Sequence, residues 1–391
     1  MISEVKIEKD IKDKAATSKI TAFIVIVFFI VFFTARYATD EDFRTMIDVN
    51  IFRKEVTESA LTTIEIDLES NSNIFAYDKY IAILNKNNLV EYTSEGKKIA
   101  ELEMNISVPL VHTNGKYMVM AEKNGQKIYL ISGENVIWQN TIQGSISEVN
   151  VNENGYVSIV IKNTTSKSVI AFYDLKGIEL FRVHIANNYA ICTSVSKDNK
   201  YLAIGEIDYS GTILKSYVKI VSVEKAQTEP KDSIIYTYES ENGEIITNIN
   251  YQDKENAICM FNDYVQKVGK DFNERLYDIT ANDVFVDINL KDSIAIIDKQ
   301  SSGLFSYEYE LLNKSTTSKS ESLYILDSEL PKTLNVSGTN MALNMGNEVR
   351  IVNSNGWLLK KYTSDNQIKN VVIGDTIAGV IYKNRIEIIK F

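Results

Sequence analysis

Proline, cysteine, histidine and tryptophan are scarce in this sequence: 391 residues contain 3 Pro, 2 Cys, 2 His and 2 Trp. Each scarcity excludes something. Few prolines leave long stretches free to serve as central β-strands, where a missing N–H would break a ladder. Two cysteines cannot build a disulfide framework. Cys192 and Cys259 sit in apolar runs (Ala190-Ile191-Cys192-Thr193 and Ala257-Ile258-Cys259-Met260) and read as buried free thiols, with one bridge between them as the alternative.

His112 and His184 are far apart in sequence and form no His-Glu-x-x-His, and the cysteines lack zinc-site spacing. Both histidines read as ordinary strand-end residues. No Gly-x-Ser-x-Gly elbow and no Gly-x-x-x-x-Gly-Lys phosphate loop occurs. The net charge is −10 and the pI about 5.0, which sets nucleic acid and other polyanions aside as partners. No catalytic, cofactor-binding or metal-ligating residue is assigned from the sequence, and no cofactor is expected. Carboxylates are plentiful, but nothing singles out a pair for acid–base work, so they read as a solvated acidic surface.

Long apolar stretches are also rare, with one exception. Ile20 to Ala35 (ITAFIVIVFFIVFFTA) carries no charge. With its milder flanks it supplies about 20 residues, the length a helix needs to cross a bilayer. A transmembrane helix is therefore expected over 20–38, between a cytoplasmic tail (1–19) and a stalk or linker (39–60). Lys6, Lys9, Lys12, Lys14 and Lys19 precede the run, whereas only Arg36 and Arg44 follow closely, among Asp40, Glu41 and Asp42. The tail holds five Lys against four acids (+1), which leaves 37 basic against 48 acidic residues (−11) beyond it. That asymmetry puts the N-terminus in the cytoplasm and residues 61–391 outside it, at the cell membrane. The apolar run is long and has no Ala-x-Ala exit, so an uncleaved anchor is expected rather than a signal peptide.

What the chain does have is strand-forming material. Hydrophobic residues make up 45%, with 22 Tyr and 15 Phe. From residue 73 a turn followed by an apolar run recurs: Tyr77-Asp78-Lys79-Tyr80, Asn114-Gly115-Lys116-Tyr117, Asn154-Gly155-Tyr156, Asp198-Asn199-Lys200-Tyr201. It continues through Asp253–Ile258, Lys291–Ala295, Gly338–Ala342 and Gly374–Ala378. Asn, Asp and Gly tolerate the positive φ of tight hairpins, which branched residues do not. A second turn recurs at Ser94-Glu95-Gly96, Ser132-Gly133, Leu175-Lys176-Gly177 and Asn353–Gly356. Two turns per repeat imply up-and-down four-stranded sheets, and a period of tens of residues fits propeller blades.

The expected fold is thus an all-β propeller over 61–391 with eight blades, or seven if one copy is an insertion. Expected strands are 107–112, 116–122, 127–131 and 135–141 in blade 2, and 146–151, 156–161, 168–174 and 179–184 in blade 3. Blades 4 and 6 carry long middle strands (201–208 and 214–223; 293–299 and 304–312), and the polar run Asn313–Ser322 is expected to protrude. Blade 5, around 245–280, fits the repeat least well. The C-terminus supplies three strands, near 368–373, 376–382 and 385–391. The run Leu61–Leu68 is then placed to add the fourth and close the ring. Trp138 and Trp357, both in expected outermost strands, read as packing between blades or on the rim, with a partner contact as the alternative. Asn150-x-Asn152-x-Asn154-Gly155 has calcium-loop spacing, but three neutral amides make a poor cation site, and a hairpin turn is expected instead.

The Asn-Gly-Lys-Tyr and Asp-Asn-Lys-Tyr turns resemble those of WD40-like and quinoprotein-like propellers. With the N-terminal anchor, the chain resembles uncharacterised membrane-anchored propeller proteins of Gram-positive bacteria. The Trp-Asp dipeptide of WD40 repeats and the recurrent Trp of quinoprotein blades are absent, so the resemblance implies a fold and transfers no site residue. The function expected is a non-catalytic, membrane-anchored binding or scaffold protein that meets protein partners in the cell envelope. An extracytoplasmic enzyme with its site in the propeller channel and a transmembrane ligand sensor are the alternatives. No small-molecule ligand is specified.

Overall fold

The computed structural model describes residues 25–40, 43, 44, 47 and 51, and then 62–391 apart from 67–72, 86, 163–164, 242 and 304–305. The chain divides into two compact units, Met1–Val56 and Thr57–Phe391. In the first, a helix covers residues 25–39. Its described part rises roughly 22 Å at about 1.5 Å per residue. Among the described residues no helix is long and apolar enough to cross a membrane. The expected span over 20–38 is therefore not reproduced as a whole. Its first residues, 20–24, lie outside the described residues, as do the tail (1–19) and most of the stalk.

The second unit is a propeller of eight four-stranded antiparallel blades. Blade 1 runs from Asn73 to Glu103, blade 2 from Pro109 to Thr141, blade 3 from Ser145 to Ile185 and blade 4 from Tyr189 to Glu239. Blade 5 spans Ile246–Asp278, blade 6 Asp283–Asp327, blade 7 Thr333–Thr363, and blade 8 Asn370–Lys390 together with Thr62–Glu65. The early strand Thr62–Glu65 is the outer strand of the last blade, with Thr62 opposite Ile388 and Glu65 opposite Arg385. This is the closure expected of Leu61–Leu68, in a shorter form.

Most strand boundaries agree with expectation to within two residues. Blade 5 is a regular four-stranded sheet after all. The larger difference is in blade 6, whose third strand is Tyr307–Ser315 rather than 304–312. The run Asn313–Ser322 does not protrude as a whole. Asn313 pairs with Ser322 and Lys314 with Glu321, extending the ladder and leaving only residues 316–320 between the two strands. Thr316 among them is buried and donates to Gln252 Oε1 at 2.6 Å.

Two kinds of contact join the blades. Apolar clusters fill the seams, for example Leu130, Val149, Val157 and Ile159 between blades 2 and 3, and Ile64, Ile81, Ile377 and Ile388 between blades 8 and 1. The second strands face a neighbouring blade on both sides, so Ile81–Leu84 and Val157–Ile161 are buried without alternation. Polar ties then pin the seams at the face where each first strand turns into the second. Positive φ at Asp78, Asn199 and Asp292, and at Gly115, Gly155 and Gly338, makes these corners tight.

From the corners, Asn152 Nδ2 donates to Ser196 O at 3.0 Å between blades 3 and 4, and Asn335 Nδ2 to Val371 O at 3.1 Å between blades 7 and 8. Asp375 N donates to Asp78 O at 2.8 Å, tying blade 8 to blade 1. Gln252, 3% exposed, is the most heavily used. Its Nε2 lies 2.8 Å from the carbonyls of Ile288, Leu290 and Ser293 in blade 6.

Gln252→Leu removes the amide from those carbonyls and from Thr316. Each buried group left without a partner costs about 1–3 kcal/mol. Urea unfolding of the variant should show a loss of roughly 3 kcal/mol or more, larger than for an exposed Gln→Leu change such as Gln139→Leu.

Candidate functional site

The corners of all eight blades surround one cavity of about 400 Å³ at the mouth of the central channel. Its wall is assembled from the ends of the first strands: Tyr77 from blade 1, Asn114 from blade 2, Val195 from blade 4, Tyr251 from blade 5 and Ser337 from blade 7. A second cavity of about 290 Å³ shares Val111, Thr113 and Val336 with the first, and its lining is otherwise mostly apolar, including Ile74, Phe75, Leu334, Val372 and Ile373, with Asp287 among them. The channel keeps open volume at this end, and aliphatic side chains concentrate around the second cavity.

His112 is not a strand-end residue. It lies within Pro109–Asn114, the first strand of blade 2, and lines the mouth. Val151 N–H donates to Nδ1 at 3.2 Å, and Nε2 is 3.1 Å from the side-chain amide of Asn150. A neutral ring accepts at one nitrogen only, so Nε2–H donates to the Asn150 carboxamide oxygen, with that amide turned accordingly. Burial lowers the pKa of His112 to about 4. His184, by contrast, is exposed on the outer strand Glu179–Ile185 of blade 3.

Three carboxyl groups near the channel are shifted the other way. Burial raises Glu148 to about 8, although Thr193 Oγ1 donates to it at 2.9 Å. Asp287 is raised mainly by burial, which its bond from Asn289 N at 2.6 Å only partly offsets. Asp375 is raised by burial and by neighbouring Asp78, against a hydroxyl bond from Ser337 at 2.9 Å and the charge of Lys291. The mouth also holds two ammonium groups, Lys197 and Lys291. Perturbed groups therefore do meet at the channel, but His112 has both ring nitrogens engaged and offers no free base.

The calcium-like Asn150–Gly155 segment is the expected turn after the first strand of blade 3. Its amides bind protein: Asn152 as above, and Asn154 Nδ2 to Lys197 O at 2.6 Å. Among the described residues no group of three or more His, Cys, Asp or Glu side chains is placed to hold a metal ion. Cys192 and Cys259 are buried and free. Trp138 packs at a seam as expected, stacked on Tyr173 of blade 3 at 5.8 Å, while Gly177 (φ +76°) lies so close to the indole that a β-carbon would clash. Trp357 is 42% exposed and does not fill a seam.

The opposite face carries relief. The two middle strands have eight residues each in blade 4 and nine each in blade 6, against five or six in the neighbouring blades 5 and 7. At ~3.3 Å per residue, two or three extra residues lift these hairpins about 7–10 Å. Tyr209 (46% exposed) and Ile213 (53%) sit at the first tip, and Tyr307 (49%) borders the second. Tyr209 stacks on Tyr189 at 5.0 Å, with Lys167 Nζ 4.3 Å from its ring centre.

Residues 53–391 match a family described as one of unknown function, DUF5711. The chain belongs to that family. No curated protein matches the sequence. Among solved structures it is similar to BamB from Moraxella catarrhalis (9% identity, TM-score 0.47, covering 85% of this chain and 99% of that one). It is also similar to the Pan2 WD40 domain of Neurospora crassa (10%, TM-score 0.47, covering 79% and 96%). A third likeness is to apo AztD from Citrobacter koseri (9%, TM-score 0.45, covering 76% and 86%).

Two features of the mouth were not read from the sequence: the placement of His112 in the channel wall and the convergence of Lys197, Lys291 and Asp375. The corner motif includes Lys291 and Asp375 but neither His112 nor Lys197, which precede their corners.

His112 makes acid stability testable. The unfolded chain takes up a proton near pH 6.5, the folded one only near pH 4. Stability linked to this residue is present above pH 6.5 and is lost as pH falls through 4, by at most about 3 kcal/mol. Glu148, protonated in the folded state below about pH 8, contributes in the opposite sense. The comparison should therefore be made with His112→Gln: the stability gap between the two proteins should narrow between pH 7 and pH 4 in urea titrations.

Proposed function

We propose that this protein is a non-catalytic binding or scaffold protein, held at the outer face of the cell membrane by the apolar segment 20–38, with its propeller presented to protein partners. The observation that carries the reading is the pair of elongated hairpins on blades 4 and 6. A propeller makes its binding surfaces where loops depart from the repeat, and exposed aromatic and aliphatic tips are typical anchors. Buried polar groups, by contrast, are largely committed to the seams, as with Gln252 and Asn152.

Affinity capture with the tagged full-length protein from solubilised membranes tests this. Defined protein partners should be recovered, and Tyr209→Ser/Ile213→Ser/Tyr307→Ser should lose them while retaining the wild-type melting temperature. An unchanged partner set in the triple variant would remove the hairpins from the reading, and capture of no partner would remove the reading itself.

Anchoring rests on the uncharged run Ile20–Ala35 and its lysine-rich approach. The protein should stay with membranes through high salt and alkaline carbonate and be released only by detergent. Protease added to intact cells lacking a wall should degrade the propeller but spare the tail.

A further inference from the structure

The polar groups at the channel mouth fall into two sets. Those of His112, Asn152, Asn250 and Gln252 are consumed by neighbouring blades: Asn250 Nδ2, for instance, donates to Ile288 O at 3.0 Å. Others remain available. Lys291, on the blade 6 corner, is exposed and has no ion-pair or hydrogen-bond partner for its ammonium among the described residues. Lys197, on the blade 4 corner, has only a loose pair with Asp292 at 3.8 Å. On blade 8, Asp375 is partly buried and receives a hydroxyl bond from Ser337, and among the described residues no ammonium or guanidinium bonds to it directly. Lys291 acts on Asp375 through space without a direct ion pair, so the cavity presents a carboxylate and two ammonium groups that are not closely paired with one another, with the Asn114 amide on the same wall.

That distribution selects by charge. An anion alone would have to approach Asp375 and Glu153, and a cation alone would meet Lys197 and Lys291. An uncharged ligand would take water from both sets and repay neither. A ligand with an ammonium at one end and a carboxylate at the other satisfies both through charge-assisted hydrogen bonds. A cavity of about 400 Å³ is near the lower end of the range for small-molecule sites, which suits a ligand of a few heavy-atom groups.

We propose that the channel mouth binds a small zwitterion of dipeptide size, its ammonium held by Asp375, its carboxylate by Lys291 and Lys197, and its peptide group by Asn114. The site lies at the opposite face from the blade 4 and blade 6 hairpins and goes beyond the scaffold reading. It adds a small-molecule input to a protein-binding ring.

Calorimetric titration of the full-length protein in detergent with L-alanyl-L-alanine, its N-acetyl form and its C-terminal amide tests the assignment. The free dipeptide should bind saturably, and blocking either end should weaken binding about tenfold or more. Asp375→Asn, which retains an acceptor for Ser337, should bind the free and N-acetyl forms alike while still rejecting the amide. Lys291→Met should show the converse. Equal binding of free and blocked dipeptides by the wild type, or no saturable binding of L-alanyl-L-alanine, overturns the proposal. The two readings fail separately: partners captured without dipeptide binding sink only this one, and dipeptide binding without captured partners sinks only the other.

Discussion

Everything in the propeller depends on the seam between neighbouring blades, where an apolar layer is pinned at one edge by polar ties. A single four-stranded sheet is hydrophobic on both faces and cannot exist alone in water. Its stability comes from the sheets beside it, so the ring must close for any blade to be fully buried. Closure is achieved by the first strand of the unit, Thr62–Glu65, which zips onto Arg385–Lys390 and buries Ile64. Contacts between residues more than 300 positions apart thus determine whether the end blade exists. Apolar packing supplies much of the stabilisation, but it is non-directional and tolerates sliding. The amide and hydroxyl ties fix the angle between blades, because a hydrogen bond has a direction that an aliphatic contact lacks.

This division of labour bears on which polar residues are free for function. Gln252 looks like a channel-mouth binding residue from position alone, yet its amide is occupied by blade 6 carbonyls and by Thr316. His112 looks like a candidate base, yet both nitrogens are held and burial keeps the ring neutral. Glu91 is a third case: fully buried, raised by burial to about 7, and bonded to Tyr77 OH at 2.6 Å, it belongs to the blade 1–2 seam. Subtracting such residues leaves Lys197, Lys291, Asp375, Glu153 and Asn114 among the groups at the mouth, and the hairpin tips on the far face.

The fold was largely legible in the sequence because blade corners are written in backbone chemistry. Asp78, Asn199, Asp292, Gly115 and Gly338 all take positive φ, and few residue types can. The closing strand was legible for a topological reason, since three C-terminal strands require a fourth. Blade 6 was misjudged because Asn313, Lys314 and Ser315 look like loop residues, whereas ladder pairing to Glu321 and Ser322 overrides their weak strand preference. Trp357 lies in the turn just before the outer strand Leu358–Thr363 and not within it, so no neighbouring blade covers its indole. The channel mouth was least legible of all. Its residues come from eight separate corners, and only ring closure turns a radial arrangement into a cavity.

Eight blades rather than seven matter for that cavity. Each added blade widens the circle on which the first strands stand, so their side chains no longer meet at the axis. In a narrower ring the inward groups would pack on each other, and apolar residues would be required there. Here the mouth keeps about 400 Å³ and is walled by amides, hydroxyls and opposite charges. Charges at such a site are only partly compensated by neighbours, as Asp375 illustrates: burial and Asp78 raise its carboxyl, and the charge of Lys291 offsets this without a direct ion pair. A partner chain docking on the hairpins has no access to these groups from the opposite face. A small solute does, and the groups left unsatisfied by the seams are those it would meet first.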